Sequence, residues 1–172
     1  MASTMKPNTT HELYMREALK EASEALSRGE LPIGAVLVSG NQILARASTR
    51  DKELKQRIVH AEILALLDLD KRKPFPGKRR DVHLYTNLEP CMMCLGACLV
   101  TDVSHVYFGL ESPTDGATNL YRDSSLKPSD HVGCRELEIV GGILRNESRT
   151  LFRQFCDLYP SGGYSNWAKT LL

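Results

Sequence analysis

His60-Ala61-Glu62-Ile63 and Leu88-Glu89-Pro90-Cys91-Met92-Met93-Cys94 are the two stretches from which the fold of this chain is read. His60, Cys91 and Cys94 offer one imidazole nitrogen and two sulfurs, a ligand set that suits Zn2+. A catalytic zinc takes three protein ligands and leaves its fourth tetrahedral position to water, whereas a structural zinc takes four. Glu62, two residues beyond the histidine, can face such a metal without ligating it. A carboxylate in that place can carry protons from water to a leaving group.

The spacing sets the local structure. Cys91 and Cys94 are three apart and share a face if they lie on a helix. Pro90 is placed to open that helix, because its missing N–H falls among groups that have no partner there. His60 heads the apolar run Ile63-Leu64-Ala65-Leu66-Leu67, a second expected helix. Two helix N-termini aimed at one metal favour thiolate over thiol and supply N–H donors for developing negative charge.

A lone Cys-x-x-Cys also fits a redox pair or half of a structural zinc site. No thioredoxin-like pattern surrounds Met92-Met93, and a closed zinc site would need Cys98 as its fourth ligand. Cys98 sits in the apolar run Leu95-Gly96-Ala97-Cys98-Leu99-Val100 and reads as a small core residue. The expected site is therefore open and catalytic, with His60, Cys91 and Cys94 as metal ligands and Glu62 as the catalytic group.

Outward from these stretches, strands and helices alternate. Thr9 and Glu12 read as a capping box for a first helix that stops near Gly29. Ile33–Val38 and Gln42–Ala47 read as strands of a hairpin turning through Ser39-Gly40-Asn41. The charged segment Thr49–Arg57 reads as a loop. Strands are expected at Val82–Thr86, Ser104–Phe108 and Glu136–Val140, and a last helix at Arg145–Leu158. Pro113-Thr114-Asp115-Gly116 is a turn cluster, followed by an irregular stretch through Ser129. This order predicts an α/β fold, a three-layer α/β/α sandwich with helices on both faces of one sheet.

At 172 residues, 42% hydrophobic and 25% charged, the chain has the size and composition of one ordinary globular domain spanning residues 1–172. It has no run of membrane-spanning length, and Met1–Thr10 is polar, so no signal peptide is expected. Five cysteines, an odd number with two assigned to metal, predict a reducing, cytoplasmic location. The formal net charge of +1 hides a basic segment of Lys71, Arg72, Lys73, Lys78, Arg79 and Arg80. Such a patch can meet phosphate, although Pro74, Pro76 and Gly77 within it fit a solvated loop as well.

The paired motifs resemble the cytidine deaminase superfamily, in the branch of bacterial tRNA adenosine deaminases and guanine-type free-base deaminases. Leu31-Pro32-Ile33-Gly34-Ala35-Val36, Val106-Tyr107-Phe108-Gly109 and Gly142-Ile143-Leu144 add to the likeness, which spans most of residues 11–156. The resemblance implies a five-stranded mixed sheet, one zinc per subunit, hydrolytic release of ammonia and a homodimer. A non-catalytic zinc-stabilised binding protein is the third reading, and it has no use for Glu62.

The chain departs from the branch in three places. Thr49 stands where relatives carry an asparagine that contacts the base or its sugar, and Asn87 is the expected replacement amide. Gln56-Arg57-Ile58-Val59 replaces the usual Asp-Pro-Thr-Ala, and Asp157–Leu172 holds a single lysine where the tRNA enzymes carry a basic helix. These departures favour a free amino-heterocycle as substrate, with tRNA adenosine second. The expected substrate contacts are Ala61, Thr49, Asn87 and Trp167. The tail, residues 159–172, gathers Tyr159, Tyr164 and Trp167 and reads as an active-site lid or as a segment lying on its own core.

Overall fold

The computed structural model describes residues 7–72, 81–123 and 136–172. It contains one mixed sheet built from β1 (Gly34–Ser39), β2 (Gln42–Ser48), β3 (Val82–Leu88), β4 (His105–Leu110) and β5 (Glu138–Val140). Their order is β2-β1-β3-β4-β5. β1 runs antiparallel to both β2 and β3, whereas β3, β4 and β5 are parallel. Helices α1 (Pro7–Ser27) and α6 (Arg145–Leu158) cover one face, and α3 (Ala61–Arg72) and α4 (Met92–Val100) cover the other. The expected three-layer α/β/α sandwich is the one observed.

Sheet burial explains the unbroken apolar run of β1. Ala35 and Leu37 enter a cluster with Leu66, Leu84, Leu95 and Val106 beneath α3 and α4. Val36 and Val38 point the other way, into a cluster with Tyr14, Met15 and Tyr85 beneath α1. A strand buried on both faces reads as continuous apolar sequence rather than alternation. The hairpin turns at Gly40, whose φ of +57° is left-handed and suits glycine. Gly34 answers a different need: a Cβ there would lie 2.3 Å from the Ala18 carbonyl oxygen, so only glycine lets α1 approach β1.

Four local expectations change. α1 begins at Pro7, so Thr9 lies within its first turn and the Thr9–Glu12 capping box does not form. Cys91 is the N-cap of α4, and Pro90 stands just outside the helix, its carbonyl accepting from the Ala117 N–H at 3.0 Å. The charged segment after β2 contains a helical turn, α2 (Asp51–Leu54). It is held by Glu30, whose buried carboxylate accepts the N–H groups of Lys52 and Glu53 at 3.2 and 2.7 Å. That interaction supplies from a distant residue what a local cap otherwise would.

The tail lies on its own core, one of its two expected readings. Gly163–Ala168 forms α7, continued by a 3-10 turn at Lys169–Leu171. Ala168 and Leu171 join Phe152, Phe155, Leu31, Leu88 and Leu110 in a third apolar cluster, which anchors the tail to α6. Each large side chain buried there contributes about 1.5–3 kcal/mol of transfer free energy. The fourth difference is α5 (Thr118–Asp123), a short helix in the stretch expected to be irregular after the turn cluster. Lys71 and Arg72 are the exposed end of α3, while the rest of the basic segment (73–80) and residues 124–135 lie outside the described residues. Among the described residues no helix is long and apolar enough to cross a membrane.

Candidate active site

β3 and the start of α3 meet at one end of the sheet. β3 delivers Pro90 and Cys91 to the first turn of α4, which places Cys94 one turn further on the inner side. His60 immediately precedes α3, its carbonyl accepting from the Leu64 N–H at 3.0 Å. His60 Nδ1 lies 3.7 Å from Cys91 Sγ and 3.6 Å from Cys94 Sγ, and the two sulfurs are 3.7 Å apart. A tetrahedral zinc with ~2.3 Å bonds to sulfur and ~2.05 Å bonds to nitrogen needs edges of about 3.8 and 3.6 Å. The triangle fits that ion. Among the described residues this is the one group of three such ligands within reach of a single metal.

Cys98, one turn along α4, is fully buried in the cluster with Leu84, Leu95 and Val106 and is not part of the triangle. Cys91 and Cys94 behave as a coupled pair. Contact with Cys94, and next with His60, pulls the Cys91 thiol down to about 4, whereas the same contact and burial push Cys94 up. The thiol contact with Cys91 also raises His60 above its ordinary value, against the effect of burial.

Glu62 lies in the first turn of α3 at 3% exposure. Thr86 of β3 donates to its Oε1 at 2.9 Å, which leaves Oε2 toward Cys94 Sγ at 3.4 Å. Burial pushes the Glu62 carboxyl above the usual carboxylate range. A carboxyl held beside the ligands, oriented through one oxygen and raised toward neutrality, is equipped to accept and return protons.

A cavity of about 590 Å³ opens from this cluster, within the size range of small-ligand sites. Leu31, Ile33 and Leu88 give it an apolar wall, and Asp51, Glu62, Glu89 and Asp115 give it carboxyls. Glu89 positions one side of it by accepting the N–H groups of Ser112 and Thr118 at 3.0 and 3.1 Å. That tie brings the turn carrying Asp115 to the rim. The tail adds Gly163, Tyr164 and Trp167 to the lining. Trp167 Nε1 donates to Asp115 at 2.9 Å, and the Tyr164 hydroxyl donates to Asp51. Lys52 Nζ sits between the rings of Phe155, Tyr159 and Tyr164, 5.1–5.2 Å from each centroid.

Of the expected substrate contacts, Thr49 and Trp167 line the cavity and Ala61 and Asn87 do not. Thr49 is 3% exposed and its Oγ1 has no hydrogen-bond partner among the described residues. Ala61 turns its methyl fully into the core beneath α3. Asn87 is equally buried: its Oδ1 accepts from the Gly34 N–H at 2.8 Å and its Nδ2 donates to the Pro32 carbonyl at 2.9 Å. Both ends of that amide hold the entry to β1, so it is not available to a substrate. Asp51 and Asp115 were not expected as lining residues, and Tyr164 was expected there only if the tail formed a lid. The turn cluster and the aromatic tail marked two of them locally, but nothing local marked their meeting.

The fold and the zinc-fitted cluster together define a zinc-dependent hydrolytic deaminase. Residues 8–110 match the family described as the cytidine and deoxycytidylate deaminase zinc-binding region, and the chain belongs to that family. It is 36% identical over 151 residues to a tRNA-specific adenosine deaminase of Bacillus subtilis (strain 168), covering 86% of this chain and 89% of that one. A solved structure described under A-to-I editing by tRNA:A34 deaminases at the wobble position of transfer RNA superposes with a TM-score of 0.69 and 31% identity. It covers 81% of this chain and 98% of the other. NE0047 in complex with 2,6-diaminopurine shares the fold at a TM-score of 0.66 and 20% identity, over 87% of this chain and 82% of its own.

These relatives overturn the expected preference for a free heterocycle. Relatives 33–36% identical over more than four fifths of this chain are tRNA-specific adenosine deaminases, whereas the diaminopurine-bound neighbour is similar in fold alone. Of the positions read as departures, Thr49, Arg57 and the tail residues Gly163, Tyr164 and Trp167 line the cavity.

Proposed function

We propose that this protein is a tRNA adenosine deaminase, converting adenosine to inosine in an RNA strand with release of ammonia. The observation that carries the reading is the 36% identity to a tRNA-specific adenosine deaminase over 86% of the chain. The free thiols of Cys91, Cys94, Cys98 and Cys156 agree with the reducing, cytoplasmic location where tRNA is met.

His60, Cys91 and Cys94 would hold the zinc, which when bound would supply Lewis-acid activation of water. Glu62 does the proton work. Its carboxylate takes one proton from water and passes it to a ring nitrogen as the carbon is attacked, then takes the second from the hydroxyl added to that carbon and gives it to the departing amine. Water and adenosine thus become inosine and ammonia with no other reactant. Thr86 keeps one Glu62 oxygen hydrogen-bonded, so the other does the transfer. Thr49, with its unpartnered hydroxyl, is a hydrogen-bonding contact for the inserted nucleoside. The test is a tRNA transcript with adenosine at the wobble position, set against a panel of free aminated heterocycles, with inosine and ammonia measured. Ammonia from a free base and none from the tRNA would overturn the reading.

The tail serves as a fixed wall of the pocket in its own subunit, supported by the contacts of Tyr164 and Trp167 with Asp51 and Asp115. Trp167→Ala opens that wall and is expected to raise KM on an RNA hairpin severalfold with kcat little changed, because a ring that only holds the substrate contributes uniform binding. An unchanged KM would remove Trp167 from the pocket. A homodimer is supported by α4: all nine of its residues are apolar, yet Met92 is 57% and Val100 81% exposed. A second copy is the occupant we assign to that face, and charged residues at both positions are expected to yield a monomer by sedimentation.

A further inference from the structure

Arg57 lies on the rim of the active-site cavity, in the connection from α2 to α3, and is exposed. It arrives there because Lys55, with φ of +54°, reverses the chain after α2, and the Gln56 N–H bonds back to the Asp51 carbonyl at 3.1 Å. Its charge contrasts with the rest of the lining, where Asp51, Glu62, Glu89 and Asp115 contribute carboxyls. Elsewhere Arg28 and Arg50 pair with Glu53, Arg46 with Glu17 and Glu21, Arg72 with Asp68 and Arg145 with Glu111, whereas Arg16, Arg122, Arg149 and Arg153 have no acid partner among the described residues and none of these four lines the cavity. Arg57 has no ion pair or hydrogen bond among the described residues. Lys52, the neighbouring cation, is engaged: three rings surround it and it donates to the Gly29 carbonyl.

A guanidinium left unpaired at the mouth of an otherwise acidic pocket is placed for an anion that comes with the substrate. A free base or nucleoside brings none. A nucleotide inserted from a strand brings its flanking phosphates to the mouth while its ring goes toward Glu62. We propose that Arg57 binds a backbone phosphate flanking the inserted adenosine, and so makes this pocket select an adenosine within an RNA strand over a free one. This rests on the tRNA reading above. The departure of Gln56-Arg57-Ile58-Val59 from the pattern of its relatives is then a substrate-holding feature of this chain. Arginine suits the task because its planar fork meets phosphate through two parallel hydrogen bonds.

The experiment uses the zinc-loaded full chain and an RNA anticodon hairpin, either unmodified or with one flanking phosphate replaced by a neutral methylphosphonate. Arg57→Gln is expected to raise KM on the unmodified hairpin roughly tenfold, with kcat within about twofold. It should also make the salt dependence of log affinity shallower by about 0.7, the share of one phosphate contact to a single strand. Methylphosphonate at the contacted position should raise the wild-type KM similarly and leave that of Arg57→Gln unmoved, because the two changes remove one interaction. Arg57→Lys should restore the salt slope and only part of the KM. If the wild type deaminates the hairpin and Arg57→Gln keeps its KM and salt slope, the phosphate contact is wrong. Additive effects at every flanking phosphate would also overturn it. A wild type inactive on the hairpin but active on a free base would instead overturn the tRNA reading, and the contact with it.

Discussion

Glu62→Gln is expected to keep the fold and one zinc per chain while losing at least ~10²–10⁴-fold in turnover, the range typical of a general acid–base group. The loss can exceed that range, because one carboxyl serves two proton transfers, first to the ring and then to the amine. Glutamine keeps the size of the side chain and can still accept from Thr86, so packing is a small part of the effect. Inosine formation under single-turnover conditions, with zinc measured on the same sample, separates a chemical defect from a metal defect. The pH profile supplies a second check. Burial raises the Glu62 carboxyl above its ordinary 4.5, and the reaction begins with the ionised form. kcat/KM of the wild type should therefore fall as pH drops through a value above 4.5, and that limb should be absent from any residual Glu62→Gln rate. A variant with near-wild-type turnover would end the proton-transfer role.

How far the site could be read from sequence depends on how local its determinants are. His60, Glu62, Cys91 and Cys94 carry their own geometry, since each pair sits within a few residues at a helix start. The positions of α3 and α4 follow from apolar runs beside these motifs, that of α6 from apolar periodicity, and β1 announces its two-sided burial as an unbroken apolar run. Asn87 was misread because its two partners, Gly34 and Pro32, are more than fifty residues away. A buried amide looks the same in sequence whether it binds substrate or braces a strand. The helical turn at Asp51–Leu54 depends on Glu30, and α7 depends on Lys52, Asp51 and Asp115. Gly163-Tyr-Ser-Asn-Trp-Ala has poor intrinsic helix propensity, and a tail of that kind becomes helical through what it rests on. Substrate preference was the least legible feature. Thr49 and Arg57, among the positions read as departures, are wall residues, and a preference set by a wall is a difference between two affinities.

Cys94→Ala is expected to abolish stoichiometric zinc binding and, with it, all measurable deamination, whereas Cys98→Ala should keep one zinc per chain. The contrast follows from geometry: Cys94 Sγ is 3.6 Å from His60 Nδ1, while Cys98 faces Leu84 and Val106 from the next turn of α4. Removing one of three protein ligands leaves His60 and Cys91, too few to hold a catalytic zinc against a chelator. Cys98→Ala removes one buried sulfur and should cost stability of about 1 kcal/mol without touching the metal. Acidification should weaken the wild-type site, because ligands bind zinc only after losing their protons. Cys91 is already drawn down to about 4, but Cys94 is raised by its contact with Cys91 and by burial, and His60 is raised as well. Zinc must therefore displace the Cys94 proton near neutrality, and the His60 proton too once the pH falls below that group's raised value. Competition with a chelator of known pH behaviour should show affinity falling about tenfold per pH unit near neutrality and more steeply in acid. Loss of zinc from Cys98→Ala would mean a closed four-ligand site, and would leave Glu62 beside a metal with no place for water.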